Sequence, residues 1–235
     1  MPIDKLRKAL ENIDWSANVQ HFLSTPSIPS QMASGNLRIA IWSKQLEDAD
    51  KDNPALSFIR EMQVAGHSVV ALASLGLYKP AAAAMRTTLE TAMYYTFFRT
   101  HPAELATLAR ETGFYVGKQD VVEFHKQHTP GFMDYEKEFG LISKLNKWYG
   151  RISAIVHGQV PGAWTWGSAL AKLQHSPRLI TVVAEEWKQG EELIHFWLLC
   201  TAGRELWSAF SSTAKQQLVS GLPGKARTVL ELDKA

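Results

Sequence analysis

One cysteine, Cys200, stands among 235 residues, so no disulfide can close within the chain. It sits in the apolar run 193–200, where a thiol reads as a small buried hydrophobe rather than a nucleophile. Neither sign of charge is in real excess: 25 Lys and Arg oppose 23 Asp and Glu, for a formal net charge of +2. That falls short of the dense basic field of a nonspecific nucleic-acid binder, although it leaves room for a local basic site. Long apolar runs are missing too. The longest, residues 69–77, is interrupted by Ser74 and Gly76 and is far too short to span a bilayer. The opening Met1-Pro-Ile-Asp-Lys5 has no apolar signal core, and the expectation is a soluble cytoplasmic protein without membrane contact. No Walker-type glycine loop, Gly-x-Ser-x-Gly or Cys-x-x-Cys occurs. No alternating stretch is bounded by turns as a strand would be.

What the chain does have is helical periodicity. Leu6, Leu10, Ile13 and Val19 form a stripe through residues 3–23. Thr25-Pro-Ser-Ile-Pro-Ser30, continuing to Gly35-Asn36, reads as a linker, followed by a helix over 37–49. Asn53-Pro54 reads as a cap and first helical position for a helix to about Leu77. Lys79-Pro80 opens another, running to about Thr100. Residues 103–127 read as helix broken near Gly113 and Gly117, and Thr129-Pro130-Gly131 as a turn. A helix from about Asp134 should reach His157, and a long one should span 178–213. These elements predict an all-α helical bundle. The expected division is N-terminal helices and a linker over 1–50, the bundle over 51–213, and a short helix with a polar tail over 214–235.

Two constellations carry chemistry. Arg86 and Glu90 lie four residues apart on a helix whose neighbours are mainly Ala, Met, Leu and Tyr. Such a pair is either a local ion pair on a solvated face or the lining of a polar cavity. The second is Arg151-Ile-Ser-Ala-Ile-Val-His157, ended by Gly158 and Pro161. Arginine offers a permanent cation with a forked donor set for phosphate, and histidine exchanges protons near neutral pH. Six residues apart on a helix, they differ by about 120° around the axis and about 9 Å along it. They therefore share no narrow face, and either a curled Arg151 or a second subunit is needed to join them. The bland alternative is a helix-ending histidine with a solvent-facing arginine.

The pattern Lys79-Pro-Ala-Ala-Ala-Ala-Met-Arg-Thr-Thr-Leu-Glu90 followed by Tyr149-Gly-Arg-Ile-Ser-Ala-Ile-Val-His-Gly158 resembles HEPN-superfamily helical domains over roughly residues 55–210. The resembled branch pairs Arg-x-x-x-Glu with Ser-x-x-x-His-Gly, here Arg86, Glu90, Ser153, His157 and Gly158. The resemblance implies a HEPN-like bundle acting as a metal-independent endoribonuclease in a defence or toxin–antitoxin role. Arg151 and His157 would be catalytic, with Arg86, Glu90 and Ser153 shaping the site. It also implies a homodimer, RNA as substrate, an antitoxin or other protein partner, and no cofactor or metal. Ile152 departs from the polar residue common after the arginine in active members. The competing expectation is a noncatalytic helical module that binds a protein partner or a nucleotide.

Other candidates carry less. Glu192-Leu-Ile-His195 has the spacing of a di-iron helix, but no second Glu-x-x-His exists. His125-Lys-Gln-His128 reads as a surface loop. Trp187, Trp197 and Trp207 read as core, whereas Trp164 and Trp166, in the Gly-rich loop after His157, are candidate base-stacking residues.

Overall fold

Proline and short polar side chains open many of the helices, and glycine closes several. A computed structural model describes residues 1–165 and 169–232. The first helices are α1 (Pro2–Glu11), α2 (Trp15–Leu23), α3 (Ser27–Ala49), α4 (Leu56–Ser74) and α5 (Tyr78–Phe98). The middle ones are α6 (Pro102–Arg110), α7 (Lys118–His128), α8 (Phe132–Phe139) and α9 (Leu141–Val156). Then come α10 (Pro177–Leu199), α11 (Ala202–Glu205), α12 (Ser212–Val219) and α13 (Gly224–Val229). No strand occurs among the described residues, and the all-α bundle expected from the periodicity is what forms. No described helix is long and apolar enough to cross a membrane.

Helix α5 is the axis of the bundle. It packs against α4, α7, α9 and α10, while α3 lies against α4 and α10. Small residues make the closest of these approaches possible. Ala81, Ala82 and Ala92 on α5 and Ala73 on α4 are fully buried, and their small side chains let the packed helices come close. Large aromatics fill the remaining space: Trp42, Trp148, Trp187 and Trp197 are all at most 1% exposed.

Several boundaries differ from the sequence expectation. The Pro/Ser stretch read as a linker is helical from Ser27, and Pro29 is tolerated because it falls in the first turn, where its missing N–H costs nothing. Its Gly35 and Met32 then pack inward, and Trp187 Nε1 donates to the Met32 carbonyl at 3.3 Å. Residues 27–49 thus belong to the core rather than to an appended N-terminal part. The first stripe is two helices, since Asp14 caps α2 by accepting from the Ala17 N–H at 2.8 Å. The helix expected over 134–157 is broken at Gly140, whose φ of +60° ends α8 and begins α9. The long helix expected to 213 stops at Leu199.

Candidate functional site

The tail of α9 meets the middle of α5. His157 is the residue at which α9 ends, and Gly158, at φ +70°, turns the chain away. The imidazole is thereby left exposed at the end of a rigid element. Facing it, Arg86 places its Nη1 at 2.7 Å from His157 Nε2. A guanidinium only donates, so this contact requires Nε2 to carry the lone pair and Nδ1 the proton.

Glu90 organises the other side of Arg86. Its Oε1 accepts from Arg86 Nε at 2.9 Å and from the Tyr149 hydroxyl at 2.6 Å. The Arg86 and Glu90 side chains are 24% and 27% exposed, which makes them neither a free surface pair nor a sealed one. The guanidinium also stacks over the Tyr149 ring, its Cζ 4.9 Å from the centroid. Burial, reinforced by the Glu90 carboxylate, pushes the Tyr149 hydroxyl up to about 12, so it stays a proton donor.

Two lysines add positive charge nearby. Lys118 Nζ lies 5.1 Å from the Tyr149 ring centroid and donates to Asn146 Oδ1; burial lowers its pKa. Lys79 Nζ is 3.6 Å from where a side chain on Gly158 would begin. Around His157, then, lie Arg86 and Lys79, with Glu90 as the carboxylate on Arg86 and Lys118 further back beside the Tyr149 ring. This arrangement can grip a phosphate and offer it an imidazole.

The sequence candidates divide. Arg86, Glu90 and His157 come together. Arg151 does not join them within the chain. Its Nε and Nη2 donate to the two carboxylate oxygens of Glu186 at 3.1 and 2.9 Å, and Nη2 also donates to Gln189 Oε1 at 2.8 Å. It points at α10 while His157 points at α5, the separation expected for positions about 120° apart. Ile152 is fully buried between them, as an apolar residue facing the core should be. The Ser153 hydroxyl is buried and has no hydrogen-bond partner among the described residues.

Trp164 is also corrected. It is 6% exposed and packs in the core, so it presents no stacking face to solvent. Trp166 lies outside the described residues. The His125-Lys-Gln-His128 segment is not a loop but the end of α7. His125 is buried, its Nε2 2.9 Å from Thr96 Oγ1 and its Nδ1 2.7 Å from Thr129 Oγ1. No group of three potential metal-ligating side chains clusters among the described residues.

Sequence reading assigned no role to Tyr149, Lys79 or Lys118. Two of them carried a signal. Lys79 and Arg86 are seven apart on α5, about 20° from the same direction, and Tyr149 and His157 are eight apart along α9, about 80° apart on one broad side of it. Lys118 comes from α7, and only packing brings it in. No family model matches the chain, nor does any curated protein or solved structure.

Proposed function

We propose that this chain is a metal-independent endoribonuclease of HEPN-like type whose working pair is Arg86 and His157. The observation that carries the proposal is the 2.7 Å contact between the two, made at an exposed helix end with Glu90 and Tyr149 holding the guanidinium in place. In the free protein Arg86 covers the Nε2 lone pair. A bound phosphodiester draws the guanidinium onto its oxygens, and the uncovered Nε2 takes the proton of the ribose 2′-hydroxyl. That oxygen attacks the adjacent phosphorus, the bond to the 5′-oxygen breaks, and a 2′,3′-cyclic phosphate results. Arg86 and Lys79 stabilise the charge that gathers on the phosphoryl oxygens. The leaving oxygen takes its proton from the Tyr149 hydroxyl or from water. A defence or toxin–antitoxin setting, with a homodimer paired across α9, follows from the HEPN-like pattern rather than from the geometry.

The test is cleavage of single-stranded RNA in EDTA by wild type, His157→Ala, Arg86→Lys and Arg151→Lys. Wild type and Arg151→Lys should cut RNA and spare DNA, which lacks the 2′-hydroxyl nucleophile. His157→Ala should be inert, and Arg86→Lys greatly impaired, since a point charge cannot replace the fork on phosphate. Loss of activity in Arg151→Lys with Arg86→Lys intact would return the catalytic role to the Arg151–His157 pair. A second reading, a noncatalytic module for a protein or nucleotide, is favoured by one observation: the Arg151 fork is occupied by Glu186 and Gln189. Equal inertness of wild type and His157→Ala on several RNAs would establish it.

A further inference from the structure

The opposite side of α9 holds a second site. α9 and α10 run antiparallel: Phe139, just before α9, meets Phe196, and further along Arg151 meets Glu186. Between them opens a cleft of about 330 Å³. From α9 come Lys144, Lys147, Trp148 and Arg151, spaced i, i+3, i+4, i+7. From α10 come Gln189, Glu192, Leu193 and Phe196, with the same spacing. Each set is one helical face, so the two stripes form opposing walls.

The chemistry of the walls is specific. At one end the rings of Phe139 and Phe196 lie 5.2 Å apart and are only partly buried, which leaves flat apolar surface open to the cleft. On its rim Lys144 and Lys147 are exposed cations that make no ion pair among the described residues. Glu192, also exposed and unpaired among them, offers an acceptor-only carboxylate on the facing wall. A purely apolar ligand leaves the lysines unused. A simple fatty acid uses the rings and a lysine but gives Glu192 nothing to accept. A ligand that answers all three carries a flat π system, a strong anion, and an N–H donor on the ring.

We propose that the α9–α10 cleft binds one nucleotide unit, its base on Phe139 and Phe196, its phosphate on Lys144 and Lys147, and its exocyclic amino group on Glu192. The volume lies at the small end of ligand pockets, which suits a single unit. The amino contact makes adenine, guanine and cytosine preferred over uracil, whose ring carries only one N–H and no amino group. The site stands apart from the Arg86–His157 pair, and it does not depend on catalysis there.

Calorimetry with AMP, UMP, a short single-stranded oligoadenylate and decanoate tests it. AMP should bind one per chain and UMP about tenfold more weakly. Lys144→Glu/Lys147→Glu should weaken AMP at least about tenfold, with unchanged helical content by circular dichroism. Glu192→Gln should narrow the gap between AMP and UMP. His157→Ala should bind AMP as wild type does, so the site survives a failure of the nuclease proposal. Equal affinity for AMP and for the oligomer assigns a free nucleotide. A much tighter oligomer, still sensitive to the lysine reversals, assigns a nucleotide within a strand. No AMP or oligomer binding up to about 1 mM, binding indifferent to the lysine reversals, or a preference for decanoate would overturn the proposal.

Discussion

Gly190, on α10, tests how tightly α9 is set against its neighbour. A methyl group there would lie 2.4 Å from Cζ2 and 2.9 Å from Cε2 of Trp148. The indole cannot swing aside cheaply. It is 1% exposed, and its Nε1 donates to the Glu186 carbonyl at 2.9 Å. Two effects oppose each other in Gly190→Ala. Helix propensity favours alanine by about 1 kcal/mol. Overpacking a filled core costs about 1–3 kcal/mol, and losing the indole hydrogen bond adds about 1 kcal/mol. The clash should win, leaving the variant about 2 kcal/mol less stable than wild type. Urea unfolding followed by circular dichroism reads this as a lower midpoint at constant slope. In a Trp148→Phe background the six-membered indole ring is gone, and the same glycine substitution should become stabilising by up to about 1 kcal/mol. The sign change is the decisive result. If Gly190→Ala is neutral or stabilising with Trp148 in place, the helices are not packed as described, and the α9–α10 cleft loses its frame.

The Arg86–Glu90–Tyr149 cluster gives a second measurement. Glu90→Gln removes the charge that faces Arg86 while keeping shape, and should cost about 1–2 kcal/mol; a loss under about 0.5 kcal/mol, typical of exposed pairs, would show that the cluster does not hold α5 to α9. Stability should also depend on pH in a defined way. Burial outweighs the Arg38 guanidinium 3.1 Å away and holds the Glu191 carboxyl at about 8, so the fold keeps a proton that the unfolded chain releases near pH 4.3, and this group's contribution falls as pH rises between those values. Burial likewise drops His125 and His195 to about 3; below about 6.5 the unfolded chain takes up two protons that the fold refuses, so stability falls as pH drops. Below pH 6.5 the two histidines outweigh the one glutamate, and these three groups together put the maximum near there; Glu191→Gln should flatten the alkaline limb, and an unchanged profile above pH 6.5 would show that Glu191 does not titrate in the fold. Sedimentation should give twice the monomer mass if the chain pairs across α9, and a clean monomer would remove that part of the functional proposal.

The sequence by itself determined the helical class and many of the helix ends. Apolar periodicity set the helices, and strong local chemistry set boundaries such as Lys79-Pro80 in the first turn of α5 and the Gly158 that stops α9 at His157. These are interactions within a few residues, so they are legible without partners. It also put Arg86 and Glu90 on one helix face and Arg151 and His157 on different faces, because helical geometry alone fixes those angles. Tertiary structure decided who meets whom. Nothing local says that Arg151 will find Glu186, 35 residues on, or that His157 will find Arg86, 71 residues back. The same holds for the linker that became α3: its prolines fit a loop as well as a first helical turn, and burial of Met32 and Gly35 beside Trp187 settled which. Trp164 read as a loop aromatic free to stack, yet hydrophobic burial drew it into the core. Burial is a property of the assembled bundle, and so are the pairings that give α9 a phosphate-suited face toward α5 and a cleft toward α10.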